Sequence, residues 1–392
     1  MIICSYFNFK AGGLEKHVYH LVRGLLKHDV KITLITAYKD PYTHVTIPSH
    51  RGDKLTIIPL KYFVAPFNNP LMPSLLNVIT KLDEPDVVHV HDHYFYGSMI
   101  SPILKKIIKR PLVLTIHTSK LRYNNFLKNL IVDIYDNIIG KIIFKTADKV
   151  IAVTRTTVYE LVKYGVPQEK VIYIPNFLTV DSQEDYDKKM YNYIRHIARF
   201  KILYVGRLVF RKGLHILLHA FDIALRNGSI PRDSVLIIVG KGHLESYIRK
   251  MITVNPNLQE RVMLLGTVSD DVLRALYKAS DVVVLPSISG ETTSLVIQEA
   301  IFFEKPFIAS LIGGIRDYVL DGFWGFYIPP GDVLALEKSL NKIYNLITKK
   351  PSFVQKKLQQ NRERLLQTRS SENVISKVLQ VYNEVVSNLT KG

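Results

Sequence analysis

The chain has 392 residues with 52 Lys+Arg against 34 Asp+Glu, a formal net charge of +18, and 47% of its residues are hydrophobic against 22% charged. These proportions exclude a disordered or low-complexity protein, the length suits two domains, and a lone Cys4 excludes a disulfide framework or a Cys-rich metal site. The charge is spread, +10 over residues 1–180 and +8 over the remainder, which argues against a basic tail for nucleic acid. No run reaches the ~18 uncharged apolar residues of a spanning helix, and MIICSYFNFK has no basic segment before its apolar start, so the expectation is a soluble protein of a reducing, cytoplasmic compartment.

In chain order, apolar β-branched runs alternate with helical patterns, as a parallel sheet covered on both faces requires. The first series is IICSYF (2–7), VKITLIT (30–36), KLTIIPL (54–60), DVVHVH (86–91), LVLTIHT (112–118), KVIAVT (149–154) and KVIYIP (170–175). The second is KILYVG (201–206), SVLIIVG (234–240), VMLLG (262–266), DVVVLP (281–286), PFIAS (306–310) and GFYIPP (325–330). Between them DSQEDYDKKMYNYIRHIARF (181–200) opens polar and lacks strand alternation, so it reads as a linker. The expected layout is α/β: two doubly wound domains, 1–180 and 201–365, facing across a cleft, with a helical tail over 366–392 set to pack back on the first.

Ligands of open parallel sheets bind beyond the carboxyl ends of strands, where helix N-termini present free amides. Gly12 and Gly13 open the first long helix there without the spacing of a dinucleotide fingerprint. Arg207, Arg211 and Lys212 follow KILYVG and suit a diphosphate, although surface cations on a loop are an equal alternative. After DVVVLP come Glu291, Thr292, Thr293, Ser294 and Leu295, then Glu299 in a helix; at ~100° per residue both carboxylates would face one site, and the amides of 292–294 would be free donors. His117 ends a buried strand, where a neutral imidazole can bond a hydroxyl. Strand alternation would carry His89, His91 and His93 to one face and Asp92 to the other, a poor metal set, and Asp185-Tyr186-Asp187 lies in the charged linker.

With Gly12-Gly13-x-Glu15, DVVHVH, His117, IYIPN (172–176), VGRLVFRKG (205–213), VGKG (239–242) and the Glu291/Glu299 pair in this order, the sequence resembles the retaining glycosyltransferases of family 4, also called group 1. The resemblance implies a GT-B fold of two Rossmann-like domains, the first binding acceptor and the second nucleotide-sugar. It implies transfer of a hexose-type sugar from a UDP- or GDP-linked donor to a hydroxyl acceptor, a glycan or a lipid-linked one, with retained configuration, no cofactor and no required metal. Arg207 and Lys212 would hold the diphosphate, Glu291 the donor sugar and Glu299 the ribose. Gly12 and Gly13 would lie over the phosphates and His117 would touch the transferring sugar; these, with Gly240, Gly242, Thr292, Thr293, Ser294 and Leu295, make up the implied donor site. Relatives often carry different residues at Thr292-Thr293-Ser294 and a Pro at His243, which leaves sugar contacts and base choice open.

The segments 103–110 and 121–145 are apolar and Lys-flanked, so contact with an anionic membrane and burial with a charged outer face both stay open. Competing functions are a sugar-nucleotide epimerase or hydrolase on the same fold, a noncatalytic sugar-nucleotide sensor and a basic nucleic-acid binder, the last opposed by the strand-end carboxylates.

Overall fold

The computed structural model describes residues 1–5, 13–38, 54–65, 69–117, 126–178 and 185–389. The chain divides into two compact units, one formed by Met1–Phe177 with Arg369–Gly392 and the other by Leu178–Thr368.

The first unit is built on seven strands: β1 (Ile2–Cys4), β2 (Ile32–Tyr38), β3 (Leu55–Lys61), β4 (Val88–His91), β5 (Leu112–Ile116), β6 (Lys149–Ala152) and β7 (Val171–Tyr173). Their order is β3-β2-β1-β4-β5-β6-β7, and every neighbouring pair is parallel. The second unit has β8 (Lys201–Val205), β9 (Val235–Val239), β10 (Val262–Gly266), β11 (Val282–Leu285), β12 (Phe307–Ser310) and β13 (Phe326–Ile328), in the order β10-β9-β8-β11-β12-β13, again all parallel. All thirteen apolar runs of the sequence carry strands. Each sheet has its topological switch point, between β1 and β4 and between β8 and β11, where diverging loops leave room for a ligand.

Alternating strand residues explain why both faces of each sheet are covered. In the second unit Ile202, Tyr204, Leu236, Ile238, Val282 and Val284 join one core, while Leu203, Ile237, Val283 and Leu285 join another on the opposite face. The helix Leu214–Arg226 lays Leu214, Leu217, Leu218 and Phe221 on the first of these cores, as its spacing predicts. In the first unit, Val18, Leu21, Val22 and Leu25 of the helix Gly13–Leu25 do the same.

One segment departs from the sequence reading. Residues within the expected linker form the helix Lys188–His196, capped by Asp187 Oδ1, which accepts from Met190 N at 2.7 Å, and Ile194 is fully buried in a core of the second unit. Its single inward apolar face was hidden by the polar residues around it. The helix Ser371–Leu389 belongs to the first unit: Val374, Ile375, Val378, Val381 and Val385 enter the core beside the Gly13–Leu25 helix. The approach is close, for a Cβ on Gly24 would meet Ile375 Cγ1 at 2.4 Å.

Candidate functional site

In the second unit the loops after β8 and β11 meet at the switch point. The chain leaves β8 through Gly206 and Arg207, makes a short turn Phe210–Lys212, and enters the next helix through Gly213 at φ 69°. A Cβ there would lie 1.9 Å from Pro286 O, so only glycine lets the two loops touch. Ile288 N donates to Arg211 O at 2.7 Å and Arg211 Nη1 to Gly290 O at 2.9 Å, stitching the loops together.

That contact brings Lys212 to Glu291. Lys212 Nζ lies 2.5 Å from Glu291 Oε1, and Ser287 Oγ donates to the same oxygen at 2.6 Å. Glu291 is buried, Lys212 is nearly so, and Arg207 is exposed with no ion pair among the described residues. The backbone behind Glu291 is braced as well: Gly314 N donates to Glu291 O at 3.1 Å, and a Cβ on Gly313 would approach that oxygen to 1.8 Å. The Gly240-Lys241-Gly242 turn after β9 supports Arg207 from the other side. Leu208 N donates to Lys241 O at 3.0 Å, and a Cβ on Gly240 or Gly242 would strike Gly206 O at 2.0 Å or Leu208 O at 2.2 Å.

Glu291 and Glu299 do not share a helix, contrary to the expectation. The helix is Leu295–Phe302; Gly290 has φ 72°, and Ser294 caps the helix, its Oγ accepting from Ile297 N at 3.3 Å. The free amides at its start are therefore those of Leu295 and Val296, while Thr292 and Thr293 precede the cap. Glu299 lies in the helix and accepts from Tyr277 Oη at 2.7 Å; burial and that carboxylate hold the phenol's pKa well above its usual value. Ser287 and Tyr277, which orient the two carboxylates, were missed because nothing in their spacing marks them.

In the first unit, His117 follows β5 and is buried. Its Nε2 is 3.2 Å from His91 Nδ1, and its ring centroid lies 4.5 Å from that of His17. The alternation expected of the histidine run holds for His89 and His91, whose rings stack at 4.4 Å, and fails at His93. β4 ends at His91, Asp92 takes φ 59°, and His93 turns to Asp136, Nε2 to Oδ1 3.2 Å. Burial and neighbouring rings hold His17, His91 and His117 well below the usual imidazole range, and burial takes His89 down to about 3, so these rings are neutral at pH 7. His17, His91 and His117 each offer a ring nitrogen, all within 4.8 Å of one another, a set that could hold a cation. Gly13 starts its helix; Gly12 lies outside the described residues. Asp185 pairs with Arg274 at 2.9 Å and Asp187 serves as a cap, so this D-x-D run is structural.

Residues 196–359 match the family described as glycosyl transferases group 1, and residues 11–182 match that described as glycosyltransferase family 4. An uncharacterized glycosyltransferase of Methanocaldococcus jannaschii is 27% identical over 337 residues, 82% of this chain and 83% of its own. Phosphatidyl-myo-inositol mannosyltransferase of Mycobacterium leprae is 24% identical over 343 residues, 86% of this chain and 85% of its own. In fold, the crystal structure of Anabaena HepE in complex with UDP matches with a TM-score of 0.74 at 19% identity, covering 98% of this chain and 99% of that one.

Proposed function

This chain is a group 1, family 4 glycosyltransferase of the GT-B fold, and we propose that it moves a hexose-type sugar from a UDP- or GDP-linked donor to a hydroxyl of a glycan or lipid-linked acceptor, with retained configuration and no required metal. The observation that carries this reading is the Lys212–Glu291 pair at the switch point of the second sheet, beside the free amides of the Leu295–Phe302 helix. A cation, helix amides and a carboxylate are the groups that a diphosphate bearing a polyol needs. The UDP bound by HepE, a neighbour in fold, supports a nucleoside diphosphate as part of the donor.

In this mechanism Lys212 and the uncommitted Arg207 bind the diphosphate and stabilise the negative charge that grows on it as the glycosidic C–O bond breaks. The acceptor oxygen bonds to the anomeric carbon on the same face, and its proton passes to the departing phosphate oxygen. Glu291 accepts from donor-sugar hydroxyls and Glu299 from the ribose. His117, neutral and with Nδ1 unpartnered, donates or accepts one hydrogen bond to the sugar without adding charge.

A thermal-shift screen against UDP, GDP, ADP and their sugar conjugates, with EDTA throughout, tests the donor class and the metal independence together. Stabilisation by one nucleotide family is expected. No shift with any nucleotide, with or without restored divalent metal, overturns the reading. Proton NMR of a transferred sugar then reads its anomeric configuration, and inversion would refute retention.

A further inference from the structure

The helical stretch 126–146 of the first unit has more apolar surface than its packing uses. It runs as an α-helix Phe126–Tyr135, a π-helical turn Asp136–Gly140 and a second α-helix Lys141–Thr146. Val132, Asp136, Gly140, Ile143 and Phe144 are buried. On the outward side, at steps of three or four residues, stand Leu127, Ile131, Ile134, Ile138 and Ile142; Leu127 is 66% exposed, Ile131 65% and Ile138 57%. Phe126, 79% exposed, begins the same stretch. A helix on a protein surface ordinarily turns charged residues outward, so this one is apolar on the wrong side for water.

Its rotation is fixed from within. The Asp136 carboxylate accepts from Tyr94 Oη at 3.2 Å and Tyr164 Oη at 3.4 Å and faces His93 Nε2 at 3.2 Å, while Tyr135 Oη donates to His93 O at 2.6 Å. Turning the isoleucines inward would strip a buried carboxylate of these partners, a costly exchange. The adjoining helix Ser101–Ile108 packs against Lys141–Thr146 and adds exposed Ile103 and Ile107.

Charge identifies the partner. Residues 101–110 and 126–146 carry seven Lys or Arg and two carboxylates, Asp133 and the buried Asp136. Lys106, Lys109, Lys141 and Lys145 are exposed. Apolar side chains interleaved with lysines match the boundary of a bilayer, hydrocarbon beneath and phosphate above. No helix among the described residues is long and apolar enough to cross a membrane, so the contact would lie in the plane of the surface.

We propose that this face docks the first unit on an anionic lipid bilayer. The surface stands on its own geometry, while its service to a lipid-borne acceptor rests on the transferase reading.

Co-sedimentation of the full chain with phosphatidylglycerol-containing vesicles, against pure phosphatidylcholine, tests it. Binding to the anionic vesicles is expected, weakening as salt is raised. Ile131→Asp/Ile134→Asp changes two exposed residues, so melting should be retained while vesicle affinity falls roughly tenfold or more. Lys141→Glu/Lys145→Glu should lower affinity and flatten its salt dependence. No binding to either vesicle, or unchanged binding by the isoleucine variant, overturns the proposal. Concentration-dependent dimers abolished by Ile131→Asp, without vesicle binding, would instead assign the face to a second copy of the chain. Nucleotide thermal shifts on the same samples separate the two readings: their absence with vesicle binding intact would refute the donor assignment and leave the docking face standing.

Discussion

Replacing Lys212 with methionine separates its two interactions, one with Glu291 in the resting protein and one with the diphosphate. The substitution strands a carboxylate that is 5% exposed and, among the described residues, keeps only Ser287 Oγ at 2.6 Å as a side-chain partner. Removing one partner of a buried ion pair costs ~3–5 kcal/mol, and the 17% exposure of the Lys212 side chain favours the lower end, about 3 kcal/mol. In a unit the size of Leu178–Thr368, each kcal/mol moves Tm by ~2–4 °C, so calorimetry should find the unit melting about 6–12 °C lower. Diphosphate affinity should fall by ~1.5–3 kcal/mol, roughly 10- to 150-fold by titration calorimetry. Lys212→Met/Glu291→Gln leaves neither charge stranded, so it should regain most of the melting temperature and none of the affinity. Affinity that returns with the melting temperature would refute the argument, because the lysine would then act by holding Glu291 rather than by touching phosphate.

Other outcomes follow from the same geometry. Tyr277→Phe removes the hydroxyl bonded to Glu299 and should cost ~1–3 kcal/mol of stability; unchanged denaturant midpoints would mean that water replaces the phenol. Gly213→Ala forces a side chain at φ 69° into Pro286 O, so it should weaken nucleotide binding and lower Tm together, and a neutral result would show that the loops can separate freely. The depressed pKa values of His17, His91 and His117 set a pH dependence. Below about pH 6.5 the unfolded chain takes up protons that the folded rings refuse, so stability is full above that pH and falls by about 1.4 kcal/mol per pH unit for each ring. Melting at pH 5.5 should be lower than at pH 7.5, with a shallower drop in His91→Gln; a flat profile would contradict a neutral cluster.

The strands were readable because a sheet covered on both faces writes them as unbroken apolar runs, as in Val235–Val239. The site was readable only in part. Its residues follow strands, which the sequence marks, but the pairing of Lys212 with Glu291 across 79 positions depends on β8 and β11 being neighbours. Helical projection failed between Glu291 and Glu299 because the helix begins only at Leu295, after the Ser294 cap, which leaves Glu291 in the loop before it. The histidine group draws on residues 17, 91 and 117, from a helix and two strand ends, so no local spacing could reveal it. Ile194 escaped notice because one buried residue in a polar segment makes no stripe.

The membership of Ser371–Leu389 in the first unit sets an order of assembly. A chain emerging from the ribosome delivers Leu178–Thr368 in one continuous piece, whereas Met1–Phe177 must wait for residues made after it. Domains commonly fold as they emerge, N-terminal first. Here the second unit can finish first, and until the last helix arrives Val18, Leu21, Val22 and Leu25 lack the partners Val374, Ile375 and Val378. The nascent first half is thus the interval in which a chaperone, or premature self-association, has its opportunity.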